Sequence, residues 1–264
     1  MPQNDGTIKF QRKELKGSRL RCLMLTSQPK EQIADFLNGL IGPYATVLPK
    51  DKWMPRGFLR PEEAKLGKIP GFLSDEQRET IMGWWLKVRR NANIPNWDFV
   101  SVCHFRESNK RGLILVEAKA HEDELNVATD NCGAKNPNRK QIESVIKEAN
   151  DALNRAVSGW ALSPKGCYQL SNRFAWAWKV ASLGMPVILV YLGFLNATDM
   201  KNGNRTILTS ARQWHKCVLF RSNGIIPREV WNKTIRINNI PLVPLIRTAD
   251  VNTSVLFQNS EILT

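Results

Sequence analysis

Cysteine is sparse and without pattern. The five thiols, at positions 22, 103, 132, 167 and 217, include no Cys-x-x-Cys pair and are odd in number, which argues against a zinc ribbon or a disulfide framework. Histidine is scarcer still, and His121-Glu122 does not extend to the His-Glu-x-x-His of a zinc protease, because Leu125 stands where the second histidine is needed. His104 and His215 read as structural. Long apolar runs are missing too. The longest, Met185 to Leu195, has the length of a strand, against the roughly 20 residues of a membrane helix. No signal peptide, internal repeat, low-complexity tract or long linker is recognised, so the expectation is a cytoplasmic protein in a reducing environment, with no membrane partner.

Acidic side chains are in deficit, with 24 Asp+Glu against 38 Lys+Arg and a formal net charge of +14. The deficit is uneven. Residues 1–60 carry 11 basic against 5 acidic side chains, residues 61–130 carry 10 against 12, and residues 131–264 carry 17 against 7. An acidic centre suited to cations is thus flanked by basic segments suited to a phosphate backbone. Charge alone does not name the partner, since many bacterial proteins are basic for solubility.

What is present is most informative at Leu113-Ile114-Leu115-Val116-Glu117-Ala118-Lys119-Ala120-His121, a strand-like run with a carboxylate and an ammonium two residues apart. Residues i and i+2 of a strand share a face, so Glu117, Lys119 and His121 project together. Charges inside a sheet are costly unless partnered. A second β-rich run, Trp97 to Phe105, follows Pro95-Asn96, and the polar segment Arg106 to Gly112 joins the two as an antiparallel hairpin. If paired residue numbers sum to 215 or 217, Asp98 lies opposite Glu117 or Lys119 on the same face, with Cβ atoms roughly 5 Å apart. A register off by one would turn it away.

Asp98 and Glu117, with the main-chain carbonyl of Ala118, make an oxygen donor set for Mg²⁺, with Mn²⁺ as substitute. A metal makes the water it holds more acidic, and the Lys119 ammonium would orient that water or neutralise phosphoryl charge. A Glu-x-Lys triplet by itself carries little: Glu14-Leu15-Lys16 and Glu63-Ala64-Lys65 repeat it, and Asp199-Met200-Lys201 is related. Only Glu117 combines a β run, a preceding Asp-bearing strand and a following helix. The plainer alternative is a salt bridge between Glu117 and Lys119 on an edge strand or a solvated face.

The flanking sequence has the pattern of an α/β protein. Ser74 with Gln77 reads as a capping box opening a helix from Asp75 to Val88. Ile142, Val145, Ile146, Ala149 and Leu153 recur at helical spacing across 139–157. A further helix runs from Tyr168 to Leu183 and stops at Gly184 before Pro186. Pro186 to Leu192 reads as a strand buried on both faces, parallel to an earlier one. Gln169 and Arg173, four apart, share a helix face, where a guanidinium would suit phosphate. Nine tryptophans are expected mainly in core packing. At the N-terminus, about 20 polar, basic residues read as an arm, and Arg21 to Leu48 as a short strand and the helix Gln32 to Leu40.

Asp98 after Pro95, followed by Glu117-Ala118-Lys119 on the next strand, resembles the PD-(D/E)xK nuclease superfamily, although Asn96 and Trp97 separate the proline from the aspartate. Leu115 to His121, Tyr168-Gln169-Leu170-Ser171-Asn172-Arg173-Phe174-Ala175-Trp176 and Pro244-Leu245-Ile246-Arg247 extend the likeness, over about residues 60 to 247, to a group of uncharacterised bacterial proteins of that superfamily. The resemblance implies a restriction-endonuclease-like mixed sheet flanked by helices over residues 61–264, after a small basic N-terminal addition at 1–60. It implies Mg²⁺-dependent hydrolysis of nucleic acid, DNA before RNA, with Asp98, Glu117 and Lys119 as catalytic residues. It also implies a further glutamate from the helix before the hairpin, Glu63 ahead of Glu76 and Glu79, and substrate contacts from Gln169 and Arg173; His121, on the Glu117 face of its strand, would touch substrate or a metal-bound water. Paired-strand cleavage would call for a homodimer, for which no heptad argues. The alternative is a catalytically silent nuclease-fold protein that binds nucleic acid or another protein.

Overall fold

The computed structural model describes residues 16–125, 130–201 and 205–251. In chain order the elements are α1 (Gly17–Thr26), α2 (Lys30–Ile41), β1 (Ala45–Thr46), β2 (Trp53–Met54), α3 (Asp75–Trp85), β3 (Phe99–Phe105), β4 (Arg111–Lys119), α4 (Asn138–Ala156), α5 (Tyr168–Ser182), β5 (Val187–Leu195), α6 (Ala211–Arg221), β6 (Ile235–Ile237) and β7 (Ile240–Asp250). The fold is α/β. A mixed sheet in the order β1-β3-β4-β5-β7-β6 runs through the middle, with β2 also paired to β3.

The sheet is parallel across β4, β5 and β7, where helices cross over it, and antiparallel elsewhere, with short turns joining β3 to β4 and β6 to β7. Strands β3 and β4 form the expected hairpin, and β5 and β7 add in parallel beyond β4. Period-2 alternation then sorts the side chains. Val100, Val102, Leu113, Leu115, Leu189 and Tyr191 meet α3, α4, α5 and α6 in one apolar core. Phe99, Cys103, Ile114, Val116, Val190 and Leu192 meet α1 and α2 in the other. Residues 17–60, expected as a small addition, therefore carry the second helical layer. Among the described residues no strand precedes α2: the segment around Arg21 is helical, and β1 follows α2.

The helices form where their stop and start chemistry places them. Ser74 accepts from the Gln77 N–H at 3.1 Å and Gln77 returns the bond to the Ser74 N–H at 3.0 Å, closing the capping box of α3. The same Gln77 donates to the carbonyl of Leu183, tying α3 to the end of α5. Helix α3 stops at Trp85, three residues short of the expected Val88. All five residues of the α4 stripe, Ile142 to Leu153, are buried.

Glycine is required where the sheet is crossed closely. A Cβ on Gly193 would lie 2.6 Å from the Trp214 ring of α6, and one on Gly112 2.7 Å from the Pro186 carbonyl. The outer edge of β7 is finished by a side chain. Strand β6 covers only Ile240 to Leu242. Beyond it Asn232 donates its N–H to the Pro244 carbonyl at 2.7 Å, and its Oδ1 accepts from the Ile246 N–H at 3.2 Å and from Arg247 at 2.7 Å. No helix among the described residues is long and apolar enough to cross a membrane.

Candidate functional site

The ladder between β3 and β4 pairs Phe99 with Val116 and Val100 with Leu115, so paired numbers sum to 215. Continued by one step, it sets Asp98 opposite Glu117. Asp98 leaves the ladder there, and its Oδ2 accepts from the Ala118 N–H at 2.8 Å. Glu117 and Lys119 lie on the face covered by α3, α4 and α5. The alternatives of an edge strand and a solvated face do not hold: β4 is interior, with β3 on one side and β5 on the other, and Glu117 is 1% exposed.

The salt bridge between Glu117 and Lys119 does form. Lys119 Nζ donates to Glu117 Oε1 at 2.5 Å, and Arg173 Nε, reaching down from α5, donates to Oε2 at 2.5 Å. Each carboxylate oxygen thus has a cation. Arg173 also donates through Nη1 to Asn172 Oδ1 at 2.9 Å and stacks over Trp97, its guanidinium carbon 4.7 Å from the ring centroid. Beside the pair, the hydroxyl of Tyr191, which faces Glu117 across the β4–β5 ladder, is buried without a hydrogen-bond partner among the described residues.

Burial and charge set the protonation of the cluster. Burial, followed by the charge of Glu117, pushes the Asp98 carboxyl up to about 7, against the opposing pull of Lys119 and the Ala118 N–H. Burial works the same way on Glu117, but Arg173 and Lys119 outweigh it and hold that carboxyl below its ordinary value. Burial disfavours charge on Lys119 as well, yet Glu117 and Asp98 keep its pKa raised. Lys119 is therefore a fixed ammonium at neutral pH, a donor and an electrostatic partner rather than a proton acceptor.

The other expected residues are distributed unequally. Glu63 comes from an extended segment, not a helix: Ala64 and Trp97 exchange backbone hydrogen bonds of 3.2 and 2.9 Å, and Glu63 Oε2 accepts from Asn96 at 3.0 Å. That bridge sets its charge close enough to Asp98 to add to the rise in pKa. Glu76 and Glu79 are exposed on α3, and Glu79 pairs with Arg89 at 2.6 Å. Gln169 and Arg173 line one open cleft of about 1120 Å³, together with Lys65, Arg90, Lys135 and Asn172. His121, though buried, is not among its lining residues and sits between Asp123 at 3.6 Å and Glu124 at 3.5 Å.

Three contributors carried no signal in the sequence. Trp97 acts as a platform for Arg173. Glu124 accepts from the Ala120 N–H at 2.9 Å and adds to the negative field at Lys119. Asp130 accepts the first amide of α5, that of Tyr168, through its main-chain carbonyl and the second, that of Gln169, through its side chain, in place of a local cap. The first could be looked for in the aromatic next to the aspartate; the others depend on loop paths.

No family model, curated protein or solved structure matches the chain. The site must be judged on its own chemistry. Among the described residues no three His, Cys, Asp or Glu side chains gather into a metal-holding group. What remains is two carboxylates, Asp98 and Glu117, with the Ala118 carbonyl. Hard oxygen donors are the kind Mg²⁺ takes, few from the protein with several waters kept, and here both Glu117 oxygens are held by Lys119 and Arg173.

Proposed function

We propose that this protein is a metal-dependent phosphodiesterase acting on nucleic acid, DNA before RNA, on a restriction-endonuclease-like fold. The observation that carries the reading is Asp98 set against Glu117 at the end of a hairpin, with Lys119 on the same face of the same strand. The element order α3, hairpin, α4, α5, β5 supports it. So do the net charge of +14 and a cleft whose wall includes Lys65, Arg90, Lys135 and Arg173.

Asp98, Glu117 and the Ala118 carbonyl would hold the cation, which supplies Lewis-acid polarisation of the phosphate and a more acidic water. Lys119, fixed as an ammonium, would stabilise negative charge growing on a phosphoryl oxygen. Arg173 and Gln169 face the cleft from one side of α5 and would orient the strand. Glu63 would add charge next to Asp98 rather than a ligand.

A second reading, a silent nuclease fold that only binds nucleic acid, has one observation in its favour. Both oxygens of Glu117 already accept from cations. A single experiment separates the two. Duplex, single-stranded and branched DNA and RNA are incubated with Mg²⁺ or Mn²⁺, for wild type and Lys119→Ala, with a chelator control and circular dichroism of both proteins. Metal-dependent cutting reduced about 100-fold or more in the folded variant supports hydrolysis at this site. Binding without cutting supports the second reading, and equal residual cutting by both proteins overturns the first.

A further inference from the structure

Arg173 belongs to two places at once. Its Nε is bound to the Glu117 carboxylate in the interior, and its side chain forms part of the wall of the large cleft. The oxygen it occupies, Oε2, is one of those a divalent cation needs. Cation at Glu117 and guanidinium at Glu117 are therefore competitors, for the atom and through like charge. A phosphodiester in the cleft competes from the other side, because a guanidinium matches phosphate as well as carboxylate and holds both through parallel N–H donors. Lys65, Arg90 and Lys135 on the same wall would bring that phosphodiester within its reach. Trp97 under the guanidinium plane and Asn172 at Nη1 give the side chain a supported position whichever anion it meets.

Resting on the metal-dependent reading above, we propose that Arg173 is a substrate-sensing counter-ion: it neutralises Glu117 until a phosphodiester in the cleft draws it away and frees Oε2 for the cation, so that substrate and cation load together. The coupling is reciprocal. Whatever factor the phosphodiester contributes to cation affinity, the cation contributes to phosphodiester affinity. In the absence of substrate Glu117 stays paired, and the protein holds its cation weakly.

The test is Mn²⁺ binding, read from the loss of the free-ion electron paramagnetic resonance signal, with and without a short phosphorothioate-linked DNA that resists cleavage. The DNA alone is titrated in parallel. Wild type is expected to bind Mn²⁺ about five-fold to a hundred-fold more tightly when the DNA is present. Arg173→Gln is expected to bind it tightly from the start and to gain less than about two-fold from DNA. In wild type without metal, the Nε–H nuclear magnetic resonance signal of Arg173 is expected to move when DNA is added, a readout that needs no variant. An unmoved signal, or an Arg173→Gln protein with wild-type coupling, overturns the proposal. Mn²⁺ bound equally with and without DNA overturns the coupling but leaves the metal-dependent reading standing. Failure to bind Mn²⁺ under either condition overturns both.

Discussion

Glu117 shows what a buried charge demands. With 1% of its surface exposed, it is stable only because two cations meet its two oxygens. Removing the charge strands them. Glu117→Gln is expected to lower the unfolding free energy by about 3–5 kcal/mol, measured by urea denaturation with the metal chelated. Asp98 behaves oppositely. Its carboxyl titrates at about 7 in the folded protein, against the ordinary 3.8, so between those values the folded state holds a proton that the unfolded chain has released. Stability from this group therefore falls as pH rises through that window, by up to about 1.4 kcal/mol per pH unit, and levels off above it. Asp98→Asn removes the slope, so its stability relative to wild type should climb from pH 4 to 7 and then flatten in chelator-containing denaturation series. At this scale the parity of a strand and the four-residue period of a helix were enough to mark Asp98, Glu117, Lys119 and Arg173. What parity could not show was the bond from Arg173 to Glu117, 56 positions away, because it depends on how α5 is rotated about its axis.

The elements that carry the site are held by close approach as much as by charge. Gly193 pairs with Lys119 across the β4–β5 ladder, and the Trp214 ring lies against it. Gly193→Ala should cost about 1–3 kcal/mol by overpacking, seen as a lower denaturation midpoint, and should disturb Lys119 more than residues of β6 in amide exchange. Elements with strong periodicity were legible: α4 with its five-residue stripe and α5 with Gly184 beyond it within a residue at each end, and β5 at its start, its far end running three residues past Leu192. Two were not. Helix α1 lacks a side-chain cap at Lys16, and its buried Arg21 reads as surface until Asp199 is brought to it at 2.6 Å. Strand β7 contains Pro241 and Pro244, which count against a strand interior. Pro244 is tolerated because β6 ends before it. Glu63 had the right residue type but the wrong element, since its segment is extended through pairing of Ala64 with Trp97.

Across the whole molecule, Asp98 and Glu117 are interior and Lys65, Arg90 and Lys135 border the cleft, the first two from the stretch that is net acidic in sequence. Binding of nucleic acid should weaken steeply with salt, and Arg90→Ala and Lys135→Ala should each reduce the slope of log K against log salt by about 1, the share of a single neutralised phosphate, measured by fluorescence anisotropy. The sheet bears on how copies of the chain can meet. On one side β3 is covered piecewise by β1, by the Lys52 carbonyl and by β2. On the other, beyond β6, Asn232 answers the Pro244 carbonyl and the Ile246 amide of β7, and Pro244 has no amide to offer. Among the described residues these contacts break up the row of donors and acceptors that a neighbouring copy would need to add a strand. Glu117 lies on an inner strand, flanked by β3 and β5, so contacts made at either sheet edge stay away from its carboxylate.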